Sequence, residues 1–149
     1  MKTTRSVTIH APIERAFACV ADNDNVKKWA QGVEEIIPRE PWNPANPVGS
    51  RFTQKIREGG RLSAYEGEVV AYDAPRHMAI TLDNPQFTMR VDYRFSEIPG
   101  GTRLDYTAET IQSNWVGRIF GVLFGWLTNR ILDKQMAALK ALAEQDGDA

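Results

Sequence analysis

The feature that most constrains this chain is a proline-free stretch from Ser113 to about Gln145, which reads as one long helix whose apolar face changes sides halfway along. At about 100° per residue, Ile131, Leu132, Met136, Leu139 and Leu142 share one side of the second half. Arg130, Asp133, Lys134, Lys140 and Glu144 share the other. Carried back, the apolar stripe meets Gly117, Gly121 and Gly125, while Trp115, Ile119, Val122 and Trp126 fall opposite. Each glycine costs a helix roughly 1 kcal/mol relative to alanine, so the strip needs a reason. Three are open: close approach to a sheet, room for a ligand, or helix–helix contact through the small-residue spacing. The opposite aromatic face is expected to mediate a homodimer or a transient membrane contact, unless a kink near Gly121 turns it inward.

A helix this long needs something to cover. Thr4–His10 alternates, and Ala11-Pro12 then starts a helix whose buried side is Ile13, Phe17 and Val20. Asp22 to Asn25 offers N-caps for a short second helix through Val26 to Trp29. Strands are predicted over Gly32–Arg39, Gly49–Glu58, Arg61–Tyr72, Met78–Leu82, Phe87–Phe95 and Thr102–Ile111. The loop Pro41–Pro47 holds three prolines, and Gly59-Gly60 reads as a tight hairpin turn. Each strand has one polar and one apolar face, which demands a one-sided cover. Roughly 30 helical residues reach about 45 Å, enough to cross a curved sheet.

The 149 residues fit a single domain over 1–149. A formal charge of −1 and scattered basic residues argue against general nucleic-acid binding. The lone cysteine, Cys19, excludes an intrachain disulfide and reads as a buried structural thiol. The N-terminus lacks the apolar run of a signal peptide, and the apolar stretch from Trp115 to Leu127 is too short to span a bilayer. A cytoplasmic protein is expected.

This layout resembles the helix-grip fold of the START/Bet v 1-like (SRPBCC) superfamily. The carriers are Val7-x-Ile9-x-Ala11-Pro12-Ile13-Glu14-x-Ala16-Phe17, Trp29, Val48-Gly49-Ser50-Arg51-Phe52, Tyr65–Val70 before Pro75, Gly100–Leu104, and the ending Leu139-Lys140-x-Leu142. The resemblance implies an α+β fold: a curved antiparallel sheet of about seven strands wrapped on the long C-terminal helix, with two short helices after the first strand. It further implies a cavity between sheet and helix for a hydrophobic or amphipathic small molecule, lipid or polyketide-like. No cofactor is expected. Members include lipid carriers, plant hormone receptors, polyketide aromatase/cyclases and chaperone-activating domains, so the fold leaves the function open. The chain resembles bacterial members of the polyketide cyclase/dehydrase-like kind.

By strand parity the inner face carries Phe52, Gln54, Ile56, Tyr65, Val69, Met78, Ile80, Leu82, Phe87, Met89, Val91, Tyr93, Leu104 and Tyr106. An apolar wall with isolated hydrogen-bonding points suits a small-molecule site. The expected ligand-binding set is Gln54, Tyr65, Met78, Ile80, Phe87, Met89, Val91, Tyr93 and Tyr106 from the sheet, with Gly117, Gly121, Phe124 and Gly125 from the helix. Binding or transport is the first reading, and an aromatase/cyclase- or dehydratase-type enzyme the alternative. Catalytic residues are not legible. His10 and His77 lack metal-ligand spacing and a carboxylate companion, and no metal site is expected. Glu66 and Glu68 share the wet face, and Asp92 between Arg90 and Arg94 reads as surface charge pairing. Trp42 either flanks a pocket mouth with Trp115 or staples its loop to the sheet.

Overall fold

The alternating segments pair into one antiparallel sheet in the computed structural model, which describes residues 2–58 and 60–145, less the side chains of 120–128. The elements in chain order are β1 (Lys2–Ile9), α1 (Ile13–Ala21), α2 (Asn23–Trp29), β2 (Val33–Pro38), β3 (Arg51–Glu58), β4 (Arg61–Asp73), β5 (His77–Asp83), β6 (Phe87–Ile98), β7 (Gly101–Ser113) and α3 (Trp115–Gln145). The seven strands lie in the order β1-β7-β6-β5-β4-β3-β2. The chain therefore leaves one edge of the sheet through α1 and α2 and re-enters at the other edge. Everything from β2 to β7 is then a meander of adjacent antiparallel pairs.

Local chemistry places the helix ends. Asp22 accepts a hydrogen bond from the Asp24 backbone N–H at 2.9 Å, and α2 begins at Asn23 rather than at Val26. Asn114 does the same for α3, taking the Gly117 N–H at 2.9 Å. The second half of α3 buries Leu132, Met136, Leu139 and Ala143 and exposes Arg130, Asp133 and Lys134, as its stripe predicts.

Polar contacts clasp that half of α3 to the β1 edge. Lys140 Nζ donates to the Thr8 carbonyl at 2.7 Å, and the His10 N–H donates to Glu144 at 2.8 Å. The His10 amide and the Lys140 ammonium together hold the Glu144 carboxyl below its usual range. Arg5, whose parity matches Val7 and Ile9, reaches inward from β1 to Asp133 at 2.7 Å and Asn129 at 3.1 Å.

Aromatic edges plug one end of the sheet's concave side. Phe17 on α1 meets Tyr72 and Phe95 edge-on at 5.5 and 5.7 Å, and Trp29 on α2 meets Tyr93 at 6.3 Å. The Trp29 indole N–H is satisfied by the Cys19 carbonyl at 2.7 Å. Cys19 is buried in this cluster, as a structural thiol would be. Trp42 lies edge-on to Tyr72 at 5.6 Å, so it pins the proline-rich loop to the plugged end.

Two bulges decide which side chains face inward. Pairing runs Val69↔Ile80 and then Ala71↔Ala79, which leaves Val70 extra and turns Tyr72 to the concave side. On β7, Ile111 is extra between Thr110↔Met89 and Gln112↔Thr88, so Ser113 faces inward opposite Phe87.

Candidate functional site

The concave face is not covered evenly. On β5, β6 and β7 the residues near the plug, Met78, Tyr93, Phe95, Leu104 and Tyr106, are buried. Further along the same face of the same strands, Ile80, Leu82, Phe87, Met89, Ala108 and Thr110 are only half-buried, although Val91 among them and Gln54, Tyr65 and Val69 on neighbouring strands are buried. On β1, Ile9 is buried whereas Val7, Arg5 and Thr3 are half-buried. Apolar side chains in the middle of a covered sheet would be expected in the packed core. Their residual exposure shows that this part of the concave face, toward the β3–β4 hairpin, the β5–β6 turn and the start of α3, is less completely covered.

Two groups of polar side chains stand on this face. The deeper one is Tyr93 and Tyr106, directly opposed on β6 and β7, with ring centroids 5.4 Å apart. Neither hydroxyl hydrogen-bonds to another described residue. Burial pushes the Tyr106 phenol up to about 12, against a smaller lowering by the Arg5 charge. Burial, and secondarily Tyr106, pushes Tyr93 well above its ordinary value. Both phenols are therefore protonated donors at neutral pH.

The outer group lies six residues away along β6, roughly 20 Å at strand rise. Gln54 and Tyr65 are cross-strand partners on β3 and β4, and both are buried. The Tyr65 hydroxyl donates to Glu58, 3.0 and 3.2 Å from its two oxygens, and its ring lies 6.2 Å from that of Phe87. Burial, then the Glu58 charge and hydrogen bond, raise Tyr65 to about 12, while a hydrogen bond from Asn84 opposes them. Gln54 Oε1 is buried and has no hydrogen-bond partner.

The structure thus brings Gln54, Tyr65, Met78, Ile80, Phe87, Met89, Val91, Tyr93 and Tyr106 to one face, the last five on β6 and β7. Gly117 gives close approach rather than room: a Cβ there would stand 2.7 Å from Ser113 Oγ and 3.0 Å from the Gln86 carbonyl. The expected ligand-binding positions Gly121, Phe124 and Gly125, and Val122 and Trp126 of the expected aromatic face, lie outside the described residues. Trp115 and Ile119 are solvent-exposed. Arg5, Glu58 and Asn84 escaped the sequence reading. For Glu58 the signal was its parity with Phe52, Gln54 and Ile56.

His77 does have a carboxylate companion, contrary to the sequence reading. Its Nε2 lies 3.1 Å from both oxygens of Asp92, because β5–β6 register sets Asp92 opposite Ala79 and diagonal to His77. Arg90 and Arg94 approach the same carboxylate at 3.4 and 3.3 Å. This cluster is on the convex face, behind the sheet from the tyrosines. An open recess of about 560 Å³ lies at the rim, lined by the β5–β6 turn and the β7–α3 junction, including Asp83, Gln86, Thr88, Gln112, Asn114 and Arg118. Thr88 and Gln112 point away from the concave side, but Asn84 and the inward-facing Phe87 and Ser113 also line the recess, so it adjoins the outer rim of the concave face. Among the described residues no cluster of His, Cys, Asp or Glu could hold a metal ion, and no helix is long and apolar enough to cross a membrane.

A curved antiparallel sheet gripping a C-terminal helix, with two short helices plugging one end, is the helix-grip architecture of the SRPBCC (START/Bet v 1-like) superfamily. The chain belongs to the polyketide cyclase/dehydrase and lipid transport family, whose model matches residues 1–144. No curated protein matches it in sequence. Among solved structures it is similar to TTHA0849 from Thermus thermophilus, with a TM-score of 0.72 and 17% identity over 96% of this chain and 97% of that one. It is similar to the di-domain ARO/CYC StfQ from the steffimycin biosynthetic pathway, with a TM-score of 0.75 and 8% identity over 99% of this chain and 52% of that one. Ara h 8.0201 aligns with a TM-score of 0.66 and 14% identity over 93% of this chain and 97% of that one. At these identities the likeness is one of fold.

Proposed function

We propose that this protein binds, and carries, a hydrophobic or amphipathic small molecule in the space between the concave sheet face and α3. The observation that carries the reading is the half-buried state of Ile80, Leu82, Phe87 and Met89 on a face whose other end is fully packed. Such a surface is apolar enough to take a hydrocarbon or polycyclic body, and its polar points are few and at the ends. Replacing Met89 with tryptophan fills that space. The Met89→Trp protein is expected to fold with unchanged or raised Tm and to lose binding of an apolar fluorescent probe. Retained probe affinity in a folded variant would refute the reading. Native mass spectrometry of the purified protein, followed by organic extraction, would identify the cargo.

The second reading is a cyclase- or dehydratase-type enzyme, favoured by the Tyr93–Tyr106 pair with two hydroxyls free of described protein partners. Those phenols could donate a hydrogen bond or a proton to a substrate carbonyl. With pKa values raised by burial, they are poor bases at neutral pH. His77 and Asp92 cannot assist from the convex face. A Tyr93→Phe/Tyr106→Phe double variant that turns over a polyketide-like substrate at the wild-type rate would remove this reading.

A further inference from the structure

We infer, resting on the binding reading above, that the outer end of the space selects a ligand whose polar head donates hydrogen bonds, a hydroxyl or an ammonium, over one headed by a carboxylate or phosphate. Apart from the Gln54 amide nitrogen, the side-chain donors there are committed, while the Gln54 amide oxygen is not. The Tyr65 proton is committed to Glu58. Asn84 turns its side-chain oxygen to the Gln86 and Phe87 N–H groups at 2.9 Å each, and it also hydrogen-bonds to Tyr65. What is left over is acceptor capacity. Gln54 Oε1 is buried in a residue only 6% exposed and receives no donor. Buried amide oxygens in native proteins are nearly always partnered, so an orphan here calls for a donor from outside the chain.

Charge points the same way. Glu58 makes no ion pair with any described cation, although Arg61 stands opposite it across the hairpin. Glu58 is itself exposed, and its hydrogen-bond partner is the Tyr65 hydroxyl. An anionic head at this end would meet the like charge of Glu58 or the lone pair of Gln54 Oε1. A hydroxyl or ammonium would supply the missing proton to Gln54 and complement Glu58. The Gln54 amide nitrogen is a neutral donor and does not offset the carboxylate. The apolar body would then run along Leu82 and Met89 toward Tyr93.

The test is isothermal titration calorimetry with three probes sharing one alkyl chain: dodecanol, dodecylamine and dodecanoate. The expected result is a preference of about tenfold or more for the alcohol and amine over the acid. Glu58→Gln should cut the amine preference, and Gln54→Leu the alcohol preference, each to within about threefold of the acid. Gln54→Leu should also leave the Tm of the ligand-free protein unchanged or raised, since it removes an unpaired polar group. Binding of all three probes alike, or of dodecanoate best, would overturn this inference and leave the binding reading standing. Absence of binding by any probe would overturn both. A preference that survives both variants, or a Gln54→Leu protein that unfolds at markedly lower temperature because a bound water was its partner, would overturn the assignment to these residues.

Discussion

Gly67→Ala is the substitution whose sign the structure reverses. Gly67 lies on β4 directly opposite Phe52 on β3, and both face inward. It is buried in an ordinary strand conformation, so backbone freedom is not the issue. By propensity alone, alanine in a strand interior should gain about 0.5–1 kcal/mol over glycine. A Cβ at this position, however, would stand 2.8 Å from Phe52 Cε1 and closer still to Cε2 and Cζ. The outer end of the ring sits over the glycine and must swing off it, giving up packing against the core cluster. Overpacking of this kind costs about 1–3 kcal/mol, so the net effect is a loss of about 1–2 kcal/mol. In a chain of this length that lowers Tm by roughly 2–8 °C. Removing the ring removes the clash: in a Phe52→Ala background the same Gly67→Ala change should stabilise by about 0.5–1 kcal/mol. Chemical denaturation of the four proteins in this cycle measures both signs and a coupling of about 2 kcal/mol. If Gly67→Ala stabilises the wild-type background, or destabilises both backgrounds equally, the close-approach argument is refuted.

Asn114→Ala removes the acceptor for the Gly117 N–H and a side-chain bond to Pro85, and should cost about 1 kcal/mol in denaturant melts. An unchanged midpoint would mean α3 starts without this cap. The buried phenols predict an alkaline limit. Their folded pKa values exceed that of an unfolded tyrosine, so their stabilisation is complete below about pH 10 and is lost as pH rises toward about 12. Ultraviolet titration should show Tyr65 and Tyr106 ionising near 12, and Tyr106→Phe should flatten the stability loss in that window. Ionisation of both near pH 10 in the folded protein would contradict their burial. His77→Ala should leave probe binding unchanged, because its partner Asp92 is on the convex face. A changed affinity would mean the two faces communicate.

Much of this was legible in the chain. Alternation through Phe87–Phe95 assigns the concave side of β6, and the stripe Leu132, Met136, Leu139 assigns the buried side of α3, because period 2 and period 3.6 each name a face without reference to any partner. What period cannot carry is an interruption of itself. The extra residues at Val70 and Ile111 are ordinary strand formers, and only the pairing shows that Tyr72 and Ser113 point inward. Register across strands is equally silent in one dimension, so the His77–Asp92 contact, 15 residues apart, and the reach of Arg5 to Asp133, 128 apart, were not available. Gly117 shows the same limit. Its absent side chain signals that something is near, but only the placement of Gln86 says that it is a backbone carbonyl and not a ligand. The sequence by itself therefore determined the elements, their faces and the family, since these follow from local periodicity and spacing. The tertiary structure alone decided which polar atoms are left without partners, because whether Gln54 is satisfied depends on groups that β3–β4 pairing and the β5–β6 turn bring beside it from across the chain.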